Sequence, residues 1–195
     1  VEIKSQHKIK MIDDNLIKKS SEVLRNNGVI AYPTEAIYGL GCDIYSESAI
    51  KRILDMKQRP SNKGLIIVAS SWQQVSHLTT SINHENLTRI MESWPSHTTW
   101  VFPASPKSPK LITGAHDSIA IRITNHPIVS AICEEFSGPI VSTSANIQAQ
   151  QPARTSDDTI KVFGNKIDFV YPGVIKGNNS PSKIIDATTL KVLRL

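Results

Sequence analysis

Cysteine is scarce in this chain. Cys42 and Cys133 are the only two, and they stand far apart, without a CxxC pair or a histidine at ligand spacing. That excludes a disulfide framework and a cysteine-based zinc site, and it fits a reducing, cytoplasmic compartment. Long apolar runs are missing too. None approaches the roughly 18 residues that suggest a membrane span, and the basic start VEIKSQHKIKMI lacks the apolar centre and cleavage site of a signal peptide. The common nucleotide and metal signatures are also absent. The nearest approach to GxxxxGK(S/T), from Gly177 to Lys183, lacks the second glycine and is interrupted by Pro181. There is no GxGxxG behind a strand and no HExxH. A phosphate site here must rest on side chains and on a loop of another kind.

At 195 residues the chain can bury one sizeable core, or at most two small lobes. Its 39% apolar and 20% charged residues keep it outside the disordered range. The 22 lysines and arginines exceed the 17 acidic residues, giving +5 and a pI near 9.2. Such a balance suits an anionic partner such as nucleotide or RNA, though many soluble proteins carry it with no such partner.

The stretch from Val29 to Ser70 organises the rest. A short apolar run, Val29 to Tyr32, stops at Pro33, and a second, Leu65 to Val68, closes the segment. Between them lie the polar turn Thr34-Glu35, the glycines Gly39 and Gly41, one amphipathic helix and the cluster Lys57-Gln58-Arg59-Pro60. The pattern predicts strand, loop, helix, cationic turn, strand. Such a unit delivers hydroxyls and two positive charges to one edge of a sheet, where open α/β folds bind ligands.

Other helices are predicted from Asp13 or Asp14 to Asn27-Gly28, from Ser70 or Ser71 through Leu78, and from His84 to Trp94. Two more run from His126-Pro127 to Phe136 and from Thr155 to Phe163, where Gly164 ends the helix. The helix after Ser46 is expected to stop at Pro60. Strands are predicted at 99–102, 118–123, 139–141, 167–171, 183–187 and 190–194. Residues 103–117 read as a loop, and residues 1–11 as a polar leader or an edge strand. With no internal repeat and no separating linker, the expectation is one α/β domain over residues 1–195, built on a mixed sheet.

Lys57-x-Arg59 has two readings. Cations at a helix end complement its dipole. Pro60 favours the other reading, because it lets both side chains leave toward the sheet edge, where a point charge beside a planar fork suits a polyphosphate or carboxylate. Ser142-Thr143-Ser144-Ala145-Asn146 either holds a polar ligand or performs ordinary turn chemistry, and Thr34 and Glu35 pose the same choice. Arg122 interrupts an apolar strand and needs an anionic partner, from the protein or from a substrate. His126 reads as a helix start and the other histidines as surface. Trp72, Trp94 and Trp100 read as packing, not as a base-stacking platform.

Taken in order, YPTEAIYGLG, KQRP, SIAIRITNHP, STSAN and SPSKIID closely resemble the YrdC/TsaC family, over about Gly28 to Thr188. The resemblance implies a twisted, open sheet with flanking helices, lining a large concave basic cavity. It implies a nucleotidyltransferase that condenses L-threonine, bicarbonate and ATP to threonylcarbamoyl-AMP and releases pyrophosphate. The product would serve modification of the tRNA adenosine beside the anticodon. By the family's KxR and SxN signatures, Lys57 and Arg59 would be catalytic, and Ser144 and Asn146 would join the site. Thr34, Arg122, Ser142 and Ser182 would contact threonine or the adenylate, with Ser118 near the nucleotide. Mg²⁺ would come with ATP and no protein-bound metal is expected. A TsaD-containing complex would accept the product, with weak direct tRNA binding and no membrane partner. In this chemistry a carbamate oxygen attacks the α-phosphate, so the lack of a Ser-His-Asp or Cys-His set is expected.

The chain departs from the family pattern in three places. Lys63-Gly64-Leu65 stands where His or Asn and then Pro-Leu are usual, so Lys63 either takes over a threonine contact or only adds charge. Trp94-Pro95-Ser96-His97-Thr98-Thr99 replaces Trp-Pro-Gly-Pro-x-Thr. Ile147 to Gln150 replaces Ser-Gly after STSAN and leaves that loop's path open. The competing expectation is a non-catalytic module binding tRNA or double-stranded RNA, with salt-dependent affinity and no ATP turnover. The small hydroxyls of Thr34, Ser142 and Ser182 weigh against it.

Overall fold

The computed structural model describes residues 12–173, 175 and 181–195. The leader 1–11 and most of the loop from Gly177 to Ser182 lie outside the described residues. Helix α1 (Asp14–Arg25) starts at Asp13, whose carboxylate accepts from the backbone N–H groups of Asn15 and Leu16. The left-handed residue beyond it is Asn27 (φ 57°), not Gly28. Gly28 is needed for space, because a Cβ there would lie 2.4 Å from Val23 Cγ1.

Strands β1 (Ile30–Pro33) and β2 (Tyr38–Gly41) form an antiparallel hairpin. The second lies in the stretch around Gly39 and Gly41 that the sequence pattern assigns to loop. Both are strand residues that make room for the Tyr32 ring opposite: a Cβ on Gly41 would lie 2.8 Å from it, and one on Gly39 3.1 Å. Helix α2 (Glu47–Lys57) is capped by Ser46 and ends at Gln58, which is left-handed (φ 51°). It therefore stops before Pro60 can act, with Lys57 as its last residue and Arg59 in the turn beyond.

After β3 (Ile66–Ala69), two 3-10 turns, Trp72–Gln74 and Ser76–Leu78, replace the predicted helix. Then come α3 (His84–Ser93), β4 (Thr98–Pro103), the one-turn helix α4 (Lys110–Thr113) inside the segment expected as loop, and β5 (Ser118–Ile123). Helix α5 (Pro127–Phe136) leads to the two-residue strands β6 (Ile140–Val141) and β7 (Thr143–Ser144). Helix α6 (Ser156–Phe163), β8 (Phe169–Val170), β9 (Lys183–Asp186) and β10 (Val192–Arg194) follow.

The strands form two mixed sheets where the sequence predicted one. Their orders are β7-β2-β1-β8 and β10-β9-β4-β5-β3-β6. The chain crosses between them at Val141–Thr143, where β6 pairs with β3 and β7 with β2. One apolar cluster lies around Leu40, Ile53, Ile67, Phe102 and Ile121. A second packs α1 and α5 through Ile17, Leu24, Val129 and Ile132 against Ile30 and Val68. Each such aliphatic side chain, when fully buried, contributes about 1.5–3 kcal/mol. Trp72 and Trp94 pack on Phe102, with ring centroids 5.3 and 6.0 Å away, as the sequence led one to expect. Both cysteines are buried, unpaired thiols whose ionisation burial opposes.

Candidate active site

Between the two sheets lies a cavity of about 440 Å³, a size typical of small-molecule sites. Its floor is the face of the six-stranded sheet that carries Ile66, Val68 and Arg122, the last two being register partners on β3 and β5. Thr34 at the hairpin turn and Ser142 and Ser144 on the crossing strand form the opposite wall. Arg59 reaches in from the turn after α2, and Ser182 and Arg194 from the β9–β10 side. Six predicted residues, Thr34, Arg59, Arg122, Ser142, Ser144 and Ser182, thus meet on one lining.

The other four stand off it. Side chains alternate across a strand, so Ser118 shares Arg122's face at the start of β5, beyond the lining. Lys63 is exposed, in the 3-10 turn Ser61–Lys63. Lys57 and Asn146 lie one layer behind Ser144.

Lys57 is 5% exposed, and its ammonium is turned into a cage of oxygens. It donates to the Ser144 carbonyl, to Ser144 Oγ (3.3 Å), to the Asn146 carbonyl (2.9 Å) and to Asn146 Oδ1 (3.2 Å). Burial, with the charge of Arg59 adding to it, pushes the ammonium down to about 8. Asn146 completes the lock: its amide donates to the carbonyls of Ile147 (3.0 Å) and Gln150 (2.9 Å). The departing segment Ile147–Gln150 is therefore tied down by Asn146, and also by Lys57, whose carbonyl accepts from Gln148 N–H at 3.0 Å.

Arg59 donates through Nη2 to the carbonyl of Gly64 at 2.9 Å, and its buried Nε has no partner among the described residues. Thr34 Oγ1 donates to the Ile37 carbonyl (2.6 Å), so it does turn chemistry while its lone pairs face other uses. Ser182 Oγ shares a hydrogen bond with Thr99 Oγ1 (2.9 Å), and its carbonyl accepts from Arg194 Nη2 (2.7 Å).

Arg122 finds its anion within the protein. Its Nη2 lies 3.3 Å from Glu35 Oε2 and its Nη1 3.0 Å from His97 Nδ1. The sequence pattern leaves Glu35 open between a ligand site and turn chemistry, assigns His97 to the surface and gives no sign of Arg194. The one clue to His97 was the unusual Ser96-His97 after Trp94-Pro95. For Arg194, a lone cation between Leu193 and Leu195, no clue existed.

Burial alone would raise the Glu35 carboxyl, but the neighbouring His97 and the charge of Arg122, whose Nη2 is 3.3 Å away, outweigh it and hold the group at about 2. A folded value below the unfolded one contributes stability that is present above about pH 4.5 and is lost as pH falls toward 2. The size is about 3 kcal/mol for a group this well buried. In urea unfolding, the gap between the parent protein and Glu35→Gln is expected to close between about pH 5 and pH 2.5. A gap that stays constant with pH would contradict the charged cluster.

Among the described residues, no group of three or more His, Cys, Asp or Glu could hold a metal ion. None of their helices is long and apolar enough to cross a membrane.

A family model of the Sua5/YciO/YrdC type, described as "Telomere recombination", matches residues 22–195. Threonylcarbamoyl-AMP synthase of Coxiella burnetii (strain RSA 493 / Nine Mile phase I) is 45% identical over 179 residues, covering 92% of this chain and 96% of that protein. The enzyme of the same name from Hahella chejuensis is 45% identical over 178 residues, with 91% and 97% covered. Among solved structures, P. abyssi Sua5 complexed with L-threonine superposes with a TM-score of 0.84 at 32% identity over 91% of this chain. This chain spans 52% of that longer protein. E. coli YciO, at 24% identity and a TM-score of 0.83, shares the fold over 93% of this chain and 89% of its own. With the model match covering most of its length, this chain belongs to the Sua5/YciO/YrdC family.

Proposed function

We propose that this chain condenses L-threonine, bicarbonate and ATP into threonylcarbamoyl-AMP and releases pyrophosphate, supplying the threonylcarbamoyl group for the tRNA adenosine beside the anticodon. One observation carries the reading. Two guanidinium groups, Arg59 and Arg122, and the hydroxyls of Thr34, Ser142, Ser144 and Ser182 converge on a single cavity. The names of the curated relatives and the threonine complex of Sua5 support it. Residues 1–195 work as one unit in this reading, since the lining draws on residues from Thr34 to Arg194.

In the proposed reaction the threonine amine adds to the bicarbonate carbon and water leaves, giving a carbamate. A carbamate oxygen then forms a bond to the α-phosphorus of ATP as the bond to pyrophosphate breaks. No protein nucleophile is required. The protein must gather anions and screen their charges. Arg122 takes the threonine carboxylate, and Arg59, with its unpartnered Nε, takes a phosphate. The four hydroxyls orient threonine and the adenylate, each able to donate or accept. Lys57 and Asn146 act through the Ser144 loop that they hold. Ser118 lies on the nucleotide side, and Lys63 adds charge nearby. Mg²⁺ arrives with ATP as part of the substrate and screens the phosphates. The labile product passes to a TsaD-containing complex, the basic surface gives weak tRNA affinity, and the work is cytoplasmic.

Pyrophosphate release from ATP, Mg²⁺ and bicarbonate is expected only when L-threonine is added, with threonylcarbamoyl-AMP seen by mass spectrometry. Release that ignores threonine, or none at all from folded protein, overturns the reading.

A further inference from the structure

The Arg122 cluster joins three separate parts of the chain. Arg122 sits on β5 in the cavity floor and is 6% exposed. Glu35 comes from the β1–β2 turn of the other sheet, and His97 from the segment just before β4. Arg122 Nη1 is 3.0 Å from His97 Nδ1 and Nη2 is 3.3 Å from Glu35 Oε2, while the third side, His97 Nδ1 to Glu35 Oε2, measures 3.7 Å. His126, at the start of α5, is also coupled electrostatically to Glu35 and Arg122, and the buried Tyr32 and Cys133 to Arg122.

A guanidinium has only donors. The contact at 3.0 Å is a hydrogen bond when His97 Nδ1 carries no proton and accepts, which is the neutral imidazole with its proton on Nε2. Glu35 alone fixes one nitrogen of Arg122 and leaves the plane free to swing about that contact. An acceptor on the second nitrogen removes that freedom. Of the two partners, only His97 lines the cavity with Arg122.

We propose that His97 is a positioning residue for the amino-acid substrate: as a neutral acceptor it sets the plane of the Arg122 guanidinium so that its cavity-side donors meet the substrate carboxylate. This rests on the role given to Arg122 in the proposed function. Glu35 balances the charge of Arg122, and His97 sets its direction. The carboxylate of threonine, not its amine or hydroxyl and not ATP, is the group whose binding depends on His97.

The test is calorimetric binding of L-threonine and of L-threoninamide, which lacks the carboxylate, to the parent protein, His97→Ala and His97→Gln. Removing the acceptor is expected to weaken L-threonine by about tenfold, as for one lost oriented contact. Glutamine, whose Oε1 can accept the same N–H, is expected to restore affinity to within about threefold. L-threoninamide is expected to bind weakly and equally to all three. Unchanged L-threonine affinity in His97→Ala, or equal weakening in Ala and Gln variants, overturns the proposal, as does failure of the parent to bind L-threonine. Should His97→Ala fail to fold, ¹⁵N NMR of the parent imidazoles decides the point, with Nδ1 of His97 expected unprotonated at neutral pH and a proton there overturning it. Loss of the His97 effect with threonine-dependent pyrophosphate release intact leaves the proposed function standing. Absent release with His97-dependent threonine binding has the opposite meaning.

Discussion

Lys57→Met is expected to lower threonine-dependent pyrophosphate release by about 100-fold or more, in the range seen when a preorganised polar group is removed from an active site. Methionine keeps the apolar stem and removes the ammonium. The carbonyl and hydroxyl of Ser144, and the carbonyl and Oδ1 of Asn146, all lose a donor at once. The Ser144 carbonyl keeps the Asn146 N–H (3.0 Å) and Asn146 Oδ1 keeps the Ser144 hydroxyl, but the Asn146 carbonyl loses its donor at a cost of about 1–3 kcal/mol unless it moves, so the Ser144–Gln150 loop is expected to shift. Ser144 lines the cavity, and the shift therefore reaches the substrates. Arginine is not expected to rescue, because a planar fork does not fit a cage built round a compact ammonium. Activity that needs the ammonium is expected to fall as pH rises through about 8, the value to which burial has pushed it. The checks are steady-state pyrophosphate release, with near-ultraviolet circular dichroism to show a retained fold. Release within about threefold of the parent would contradict the role of the cage.

Gly114→Ala is expected to destabilise the fold by about 3–5 kcal/mol. Gly114 has φ 63° and ψ −129°, a conformation that strains any L side chain. A Cβ there would lie 2.6 Å from both the Asn62 carbonyl oxygen and the Gly64 nitrogen, and backbone does not give way cheaply. The two segments are stitched on either side of this point. Leu65 N–H donates to the Ile112 carbonyl at 2.8 Å, and Ala115 N–H donates to that of Asn62 at 3.0 Å. Gly164→Ala is the matched control: φ is 52° and ψ −131°, close to Gly114, but nothing lies within 4 Å of the added carbon, so strain acts alone and about 1–3 kcal/mol is expected. Urea midpoints of the two variants decide it, and equal losses would contradict the close approach. Because the Gly64 carbonyl anchors Arg59 at 2.9 Å, the Gly114 variant is also expected to lose affinity for ATP.

What the sequence revealed follows from how local each signal is. β5 spans Ser118–Ile123 as read, since alternation and flanking breakers are both present. Asp13, Ser46 and Thr155 cap their helices through the hydrogen bonds their side chains suggested. β2 was missed because its glycines answer to Tyr32 across the hairpin, a partner that pattern does not show. Two sheets were read as one because β6, β7 and β8 have two residues each, too few for any period to appear. In the site, Lys57-x-Arg59 and Ser142–Asn146 were legible as clusters of chemistry within a few residues. The contact between them was not, and neither was the Glu35–His97–Arg122 cluster. Its members come from a turn, a loop and a strand that only the tertiary fold brings together.

The position of β9 bears on how the protein is made. β9 lies between β10 and β4 and runs parallel to β4, with Lys183 opposite Thr98. Translation delivers β4 first, and at about 5–20 residues per second the partner follows only seconds later. During that interval the β4 edge is an open template for pairing with another chain, while Ser182 and Arg194 have yet to join the cavity. The substrate site is thus among the last features to form on the nascent chain. A ribosome stalled before β9 would hold a chain that contains Lys57, Arg59 and Arg122 but exposes a strand edge in place of a finished pocket.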